Sequence, residues 1–296
     1  MKNIFKKEKD RNILDIRTRG QNTVFIIVFI LFTLYALSLI VPFIWLFMSS
    51  LKKPFEFIRS DVFALPEQPQ FVNFITAFKE LKYKKVGFFR MVFNSLWMTI
   101  GSNLIYLICS SMTSYCIAKY KFKGRNFLYA LTIFLMVFPI SGSLAADVKL
   151  RINLNIYDSP LQLVVCAGGF GSAFLILYAF FQGVSWHYAE AAMIDGASHD
   201  FVFWKIMMPQ VMPAFLTLFI TSFIGGWNDY MTSIVYYPSF PTLAAGLYLY
   251  ESSMESQSNY PVYFAGLFIS MIPIFAIFIA FQDTIMTSVS IGGLKG

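Results

Sequence analysis

Side chains able to do chemistry are scarce in this chain, and one of its few polar passages lies between long apolar segments. Glu190 to Pro213 reads EAAMIDGASHDFVFWKIMMPQVMP, with long apolar segments on either side. His187 and His199 flank its core as a conceivable metal pair, but no further ligand stands at a suitable spacing. Residues on the polar faces of helices are the better reading of both. Asp195 and Asp200 could act as a carboxylate pair in acid–base work. Their place in a turn between helices favours structural or partner-facing roles instead. No G-x-x-x-x-G-K-S/T phosphate loop occurs, since Gly292-Gly293-Leu294-Lys295 lacks both the spacing and the hydroxyl. The chain is therefore expected neither to hydrolyse ATP nor to hold any cofactor.

A last acid stands apart. Asp229 ends an apolar run in Gly225-Gly226-Trp227-Asn228-Asp229. A carboxylate there is costly unless it faces water, protein or a cavity. Two readings stay open: Trp227, Asn228 and Asp229 line the outer part of a solute pathway, or Asp229 marks a helix end and accepts a local backbone N–H.

The Glu190 stretch reads as helix, turn, helix. Tyr188 to Asp195 are mostly helix formers, and Gly196 can adopt the positive φ that ends a helix. Ser198 or Asp200 can cap the next one. Ala191 and Ala192 leave a bare helix surface that another backbone can approach, and Glu190 offers it one charge. The shape is that of a peg for a socket.

The elements that must hold this peg are membrane spans. The 296 residues are 57% hydrophobic and 13% charged, against about 25% charged in soluble domains. The net charge of +7 points to lipid rather than nucleic acid, because seven lysines and arginines fall in the first 19 residues. Cys109, Cys116 and Cys166 lie inside apolar segments and form neither a disulfide framework nor a metal spacing. The aromatic residues are expected to face lipid or pack between helices, and none is assigned to sugar stacking.

The expected fold class is all-α: a polytopic membrane protein with six transmembrane helices and one coupling loop. Residues 1–20 form a basic cytoplasmic tail. Residues 21–51, free of charge, are the first span, too long for a cleavable signal. Residues 52–90 form an extracytoplasmic loop whose FVNFITAFKEL patch can lie flat on the membrane. Its eight basic residues run against the positive-inside rule, which long loops weaken. Residues 91–284 form the core. Within it, spans run over 91–118, 126–146, 160–182, 209–234 and 261–282, and the polar stretch occupies about 183–208. The short basic turn 119–125 marks the cytoplasmic side. Gly168-Gly169 and Gly171-Ser172-Ala173 permit close helix approach. Residues 285–296 form a second cytoplasmic tail.

At Glu190, Ala191, Ala192, Asp195, Gly196, Ala197, Ile206 and Pro209 the chain resembles the membrane permease subunits of binding-protein-dependent ABC importers. Their signature is the EAA loop: Glu-Ala-Ala, three residues, Gly, and a later Ile-x-x-Pro. The form EAAMIDGAS is similar to the carbohydrate, maltose-type branch. So are Asn94-Ser95-Leu96, the Lys-Phe-Lys-Gly-Arg turn, Trp227-Asn228-Asp229 and the final Gly-Leu-Lys-Gly. Gln282-Asp283-Thr284 departs from the aromatic and basic residues of many relatives, which puts the contacts of the tail in doubt.

The resemblance implies a sugar or oligosaccharide importer in a bacterial cytoplasmic membrane, with both termini cytoplasmic. The implied partners are membrane lipid, a second homologous permease, an ATPase subunit dimer that carries ATP and magnesium, and an extracellular solute-binding protein. Glycerol phosphate and polyamines are alternative cargoes, though the spans lack the cations or clustered acids these would want. A membrane-embedded transferase is the remote alternative.

Overall fold

Apolar runs become helices here because a backbone without water must satisfy its own hydrogen bonds. The structure is a computed structural model that describes residues 19–83, 85–138, 142, 144–252 and 259–293. All but the last two residues of the expected 1–20 tail lie outside the described residues, as do residues 294–296. Pro139, expected near the outer end of the third span, also lies outside them.

Four helices among the described residues are long and apolar enough to cross a membrane: Gly20–Ser50, Phe88–Lys119, His199–Asn228 and Tyr260–Gln282. They belong to α1 (Arg19–Ser50), α4 (Phe88–Lys119), α10 (Met208–Asn228) with the turns before it, and α13 (Tyr260–Gly293). The expected third and fourth spans are shorter than the sequence reading. α5 (Arg125–Val137) stops after 13 residues with Phe138 extended, because a residue before proline is pushed out of the helical region. α6 (Leu144–Asn153) then forms separately. Pro160–Cys166 is a 3-10 segment, and α7 (Ser172–Gly183) starts only after Gly171, whose φ is +142°. Thirteen residues rise about 20 Å, short of the ~30 Å hydrocarbon thickness. The glycines serve both as helix breakers and as contacts. A Cβ on Gly169 would stand 2.2 Å from the Thr113 hydroxyl oxygen, so α4 approaches the chain there as closely as expected.

α4 is the central post. Its half nearest Lys119 packs with α7 and the start of α10 through Leu107, Tyr115, Leu177, Phe181 and Val211. Its other half packs with α13 and α12 (Leu243–Ser252) through Met91, Leu243, Val262 and Ala265. Several small hydroxyls on it bond locally or across to a neighbour: Ser111 donates to the Leu107 carbonyl and Thr113 to that of Cys109, while Ser114 reaches the Phe174 carbonyl on α7 at 2.9 Å.

Two segments between the long helices are built into the fold. α2 (Pro54–Arg59) and α3 (Val72–Glu80) follow α1, and α3 packs on α13 rather than standing alone. Asn73 is buried and donates to the Ser50 and Lys52 carbonyls, capping the end of α1. A two-residue hairpin, β1 (Lys82–Tyr83) with β2 (Val86–Gly87), joins α3 to α4. Between the last two long helices the chain forms α12, whose Leu243, Ala245, Gly246 and Leu247 are buried. Asn94 and Ser95 of α4 hold it, bonding the Pro241 carbonyl and the Leu243 N–H.

Candidate functional site

The Glu190 stretch folds as α8 (His187–Ile194), a turn, α9 (His199–Phe201), a π-helical segment Val202–Met207 and α10. Gly196 ends α8 with φ +85°. Its N–H reaches the Met193 carbonyl, while that of Ala197 reaches back to Ala192 at 2.9 Å. A Cβ at Gly196 would meet nothing within 4 Å, so conformation rather than space selects glycine there. Of the two expected caps, Ser198 takes the role, accepting from the Phe201 N–H.

The stretch does not end before the next span. His199–Asn228 is one continuous helix, with Pro209 in the first turn of α10. Pro209 has no N–H to give the Lys205 carbonyl, and the wider π turn sits immediately before it, with the Met208 N–H bonding Phe203 five residues back. Motion of α8 therefore has a helical path into the span.

α8 is pinned on one side and bare on the other. Ala189 is fully buried against the core, with Ala192, Ala197 and Ile206 packed behind it. Tyr188 (57% exposed), Ala191 and Ile194 (85% exposed) form the open face, with Glu190 and Asp195 exposed beside it. The expected bare Ala191–Ala192 surface is thus divided: Ala191 faces out and Ala192 faces in. Glu190 holds an exposed His187, with Nδ1 3.0 Å from Oε2. His199 is occupied differently, its Nδ1 lying 2.9 Å from the Tyr120 hydroxyl.

Sequence reasoning missed what pins α8. Tyr120 stands edge-on to Trp186, and Lys119 donates through Nζ to the Val184 carbonyl. The basic turn carried this signal, but it served only as a marker of sidedness.

The second group of expected site residues lies at the far end of α10. Trp227 departs from the expected pathway lining: it is buried, stacks on Phe223 and donates its indole N–H to the Ser270 carbonyl of α13. Asn228 is exposed and donates to the Ile224 carbonyl. Asp229 accepts from the Thr232 N–H at 3.0 Å, the local backbone role, and also borders a cavity of about 80 Å³ walled by Thr99, Ser102 and Thr242.

Around this end lies a polar clasp that the sequence did not announce. Arg151 of α6 bonds Asp147 at 3.0 Å and Gln162 at 2.7 Å, and its guanidinium lies 3.9 Å from the centre of the Tyr236 ring. Tyr236, the last residue of α11 (Met231–Tyr236), donates its hydroxyl to Asp147 and receives the Gln162 side chain on its carbonyl. Asp158, at φ +52°, accepts from both the N–H and the hydroxyl of Ser239. The Tyr236 and Arg151 hydrogen bonds hold the Asp147 carboxyl below its ordinary range. The same Asp147 bond pushes the Tyr236 hydroxyl up.

Four helices long and apolar enough to cross a membrane, gathered around α4, define a protein of several membrane spans. Residues 106–290 match the family described as binding-protein-dependent transport system inner membrane component, and the chain belongs to that family. It is 26% identical to the diacetylchitobiose uptake system permease protein NgcG of Streptomyces coelicolor over 269 residues, covering 90% of this chain and 87% of that one. It is 27% identical to the arabinooligosaccharides transport system permease protein AraQ of Bacillus subtilis over 271 residues, covering 90% and 94%. A crystal structure of a bacterial ABC transporter that imports the acidic polysaccharide alginate contains a chain of the same fold. The TM-score is 0.76 at 21% identity, over 90% of this chain and 98% of that one.

Proposed function

We propose that this chain forms half of the translocation pathway of an ABC importer for a sugar or oligosaccharide, with α8 as the peg on which an ATPase subunit acts. The observation that carries the reading is the two-sidedness of α8. Ala189 is buried to 0% exposure, while Ile194, about one and a half turns further along the same helix, is 85% exposed. A helix fixed on one face and apolar on the other can transmit a push, and its continuation through Val202–Met207 into α10 supplies the lever. ATP and magnesium belong to the ATPase subunits, a homologous permease supplies the other half of the pathway, and a solute-binding protein delivers the cargo.

In this arrangement α1, α4, α5, α7, α10 and α13 are the six spans, with α5 and α7 completed by the segments beside them. Both termini, the 119–125 turn and α8 face the cytoplasm. The cargo class is supported by the diacetylchitobiose and arabinooligosaccharide systems of the relatives. Asn228 and Asp229, beside a cavity walled by hydroxyl groups, are the pathway residues of this subunit. Trp227 positions them from behind.

Affinity purification from native membranes in mild detergent tests the reading, with Gly196→Asp compared against wild type. An ATPase and a second permease should accompany the wild-type chain and be lost or uncoupled in the variant. A wild-type chain that never carries an ATPase would end the proposal. Labelling of Lys123→Cys by a membrane-impermeant maleimide tests sidedness separately: reaction in inverted vesicles only is expected.

A further inference from the structure

Two neighbouring concavities share Phe122 as a lining residue, at the α8 end of the molecule. The first, of about 430 Å³, is mostly apolar and runs between α4 and the segment that follows α8, with Met112 and Cys116 on one wall, Phe203 and Trp204 on the other, and His199 and Asp200 also lining it. The second, of about 450 Å³, is cationic, with Lys121 and Arg125 on its wall.

The cations are available. Of the four in the turn 119–125, Lys119 is used, donating to the Val184 carbonyl. Among the described residues no carboxylate lies within ion-pair distance of Lys121, Lys123 or Arg125, and the Arg125 Nε is buried with no hydrogen-bond partner. Beside them apolar groups stay open: Phe127 is 68% exposed, and Met112, Phe122 and Trp204 are each close to half exposed. Free cations next to open aromatics, at the end of a membrane-crossing helix, match the boundary between lipid headgroups and acyl chains. An acidic soluble protein would satisfy the cations and leave the apolar groove wet.

We propose that the joined concavities hold one anionic phospholipid, its phosphate on Lys121 and Arg125 and the start of an acyl chain in the groove beside Trp204. Phe203 and Trp204 belong to the π segment that leads from α8 into α10, so the bound lipid braces the lever and makes coupling sensitive to the lipid surface. The inference rests on the cytoplasmic placement of this turn proposed above.

The test uses the whole transporter in nanodiscs of phosphatidylcholine with or without phosphatidylglycerol. Lipid retained after detergent extraction is counted by native mass spectrometry, and ATPase rate is read in parallel. Wild type should retain phosphatidylglycerol over phosphatidylcholine. Each cation removed in K121Q and R125Q should weaken retention about fivefold, from the ~1 kcal/mol that one basic residue contributes at an anionic surface. Met112→Trp, which fills the groove and leaves the cations in place, should also lower retention. Equal retention of the two lipids, or retention unchanged in the double variant, would overturn the site. So would a double variant that sheds the ATPase while keeping phosphatidylglycerol, which would give the turn to the ATPase instead. Labelling of Lys123→Cys from outside would overturn the sidedness and this site with it. Labelling from inside without a lipid preference would sink the lipid site alone.

Discussion

The two ends of α10 are built on opposite plans. At one end α8 keeps its partners to a minimum: a buried Ala189 behind, an exposed His187–Glu190 pair at the side, and Tyr188, Ala191 and Ile194 open in front. At the other end Arg151, Asp147, Tyr236, Gln162, Asp158 and Ser239 join α6, the 3-10 segment and the loop after α11 in one hydrogen-bonded clasp. About 45 Å of continuous helix, His199–Asn228, separates them. The end proposed to meet another subunit leaves its surface open. The end that carries Asn228 and Asp229 is held by the chain itself. A domain that converts movement into access needs both, one surface to be pushed and one seam that opens as a unit.

Substitutions should separate the two plans. The largest effect is expected from Ile194→Glu, which places a charge on the open face at an apolar residue that is 85% exposed. ATPase subunits recovered with the chain should fall by more than about tenfold, the loss typical of a central contact, while the melting temperature of the isolated permease stays unchanged. Arg151→Ala should do the reverse. It leaves the buried Gln162 and the Asp147 carboxylate without their cation, lowering stability by about 1–3 kcal/mol in a thermal melt, with ATPase recovery intact. Tyr236→Phe removes one hydrogen bond from the same clasp and should lower stability by about 1 kcal/mol or less, because Asp147 is partly solvated.

The smallest effect is a pH dependence confined to the clasp. Asp147 is held below its ordinary value, so its contribution is complete above about pH 4 and is lost as the pH falls through the folded value. Tyr236 is raised, so its contribution persists below about pH 10 and fades only above that. Hydrogen exchange across Leu144–Asn153 should therefore quicken on acidification below about 4 and stay flat through neutrality. Equal sensitivity across His187–Ile194 would break the contrast.

The local structure of the α8 end was legible because its code is local. Gly196 for a positive φ, Ser198 for a cap and Glu-Ala-Ala for a bare face can each be read within a dozen residues. Ala191 and Ala192 show the limit of that reading: adjacent positions on a helix face about 100° apart, and only packing decides which one is covered. The long spans were legible for a related reason, since 30 charge-free residues leave a chain few alternatives. The third and fourth spans were not. Phe138 before Pro139, and Gly168 to Gly171, interrupt helices inside runs whose composition alone reads as continuous.

The clasp was illegible for the opposite reason to the EAA stretch. Asp147 and Asp158 stand 89 and 81 residues before their partners Tyr236 and Ser239 and carry no spacing rule, so only the fold brings them together. Trp227 shared that fate. Its neighbours Asn228 and Asp229 are polar and its place in the run suggested the same surface, yet the indole N–H finds the Ser270 carbonyl on α13 and the ring becomes core. The same holds for α12, whose Gly246 admits Met91 so closely that a Cβ would stand 2.1 Å from its sulfur.

The most direct test of the account is a photo-crosslinking residue placed at Ala191 in native membranes, with the same residue at Met231 as the comparison. Position 191 should crosslink to a nucleotide-binding subunit, and position 231, on the far side of α10, should not. Crosslinks from 191 to lipid alone, or to the ATPase from 231 instead, would contradict the assignment of α8 as the surface on which the motor acts.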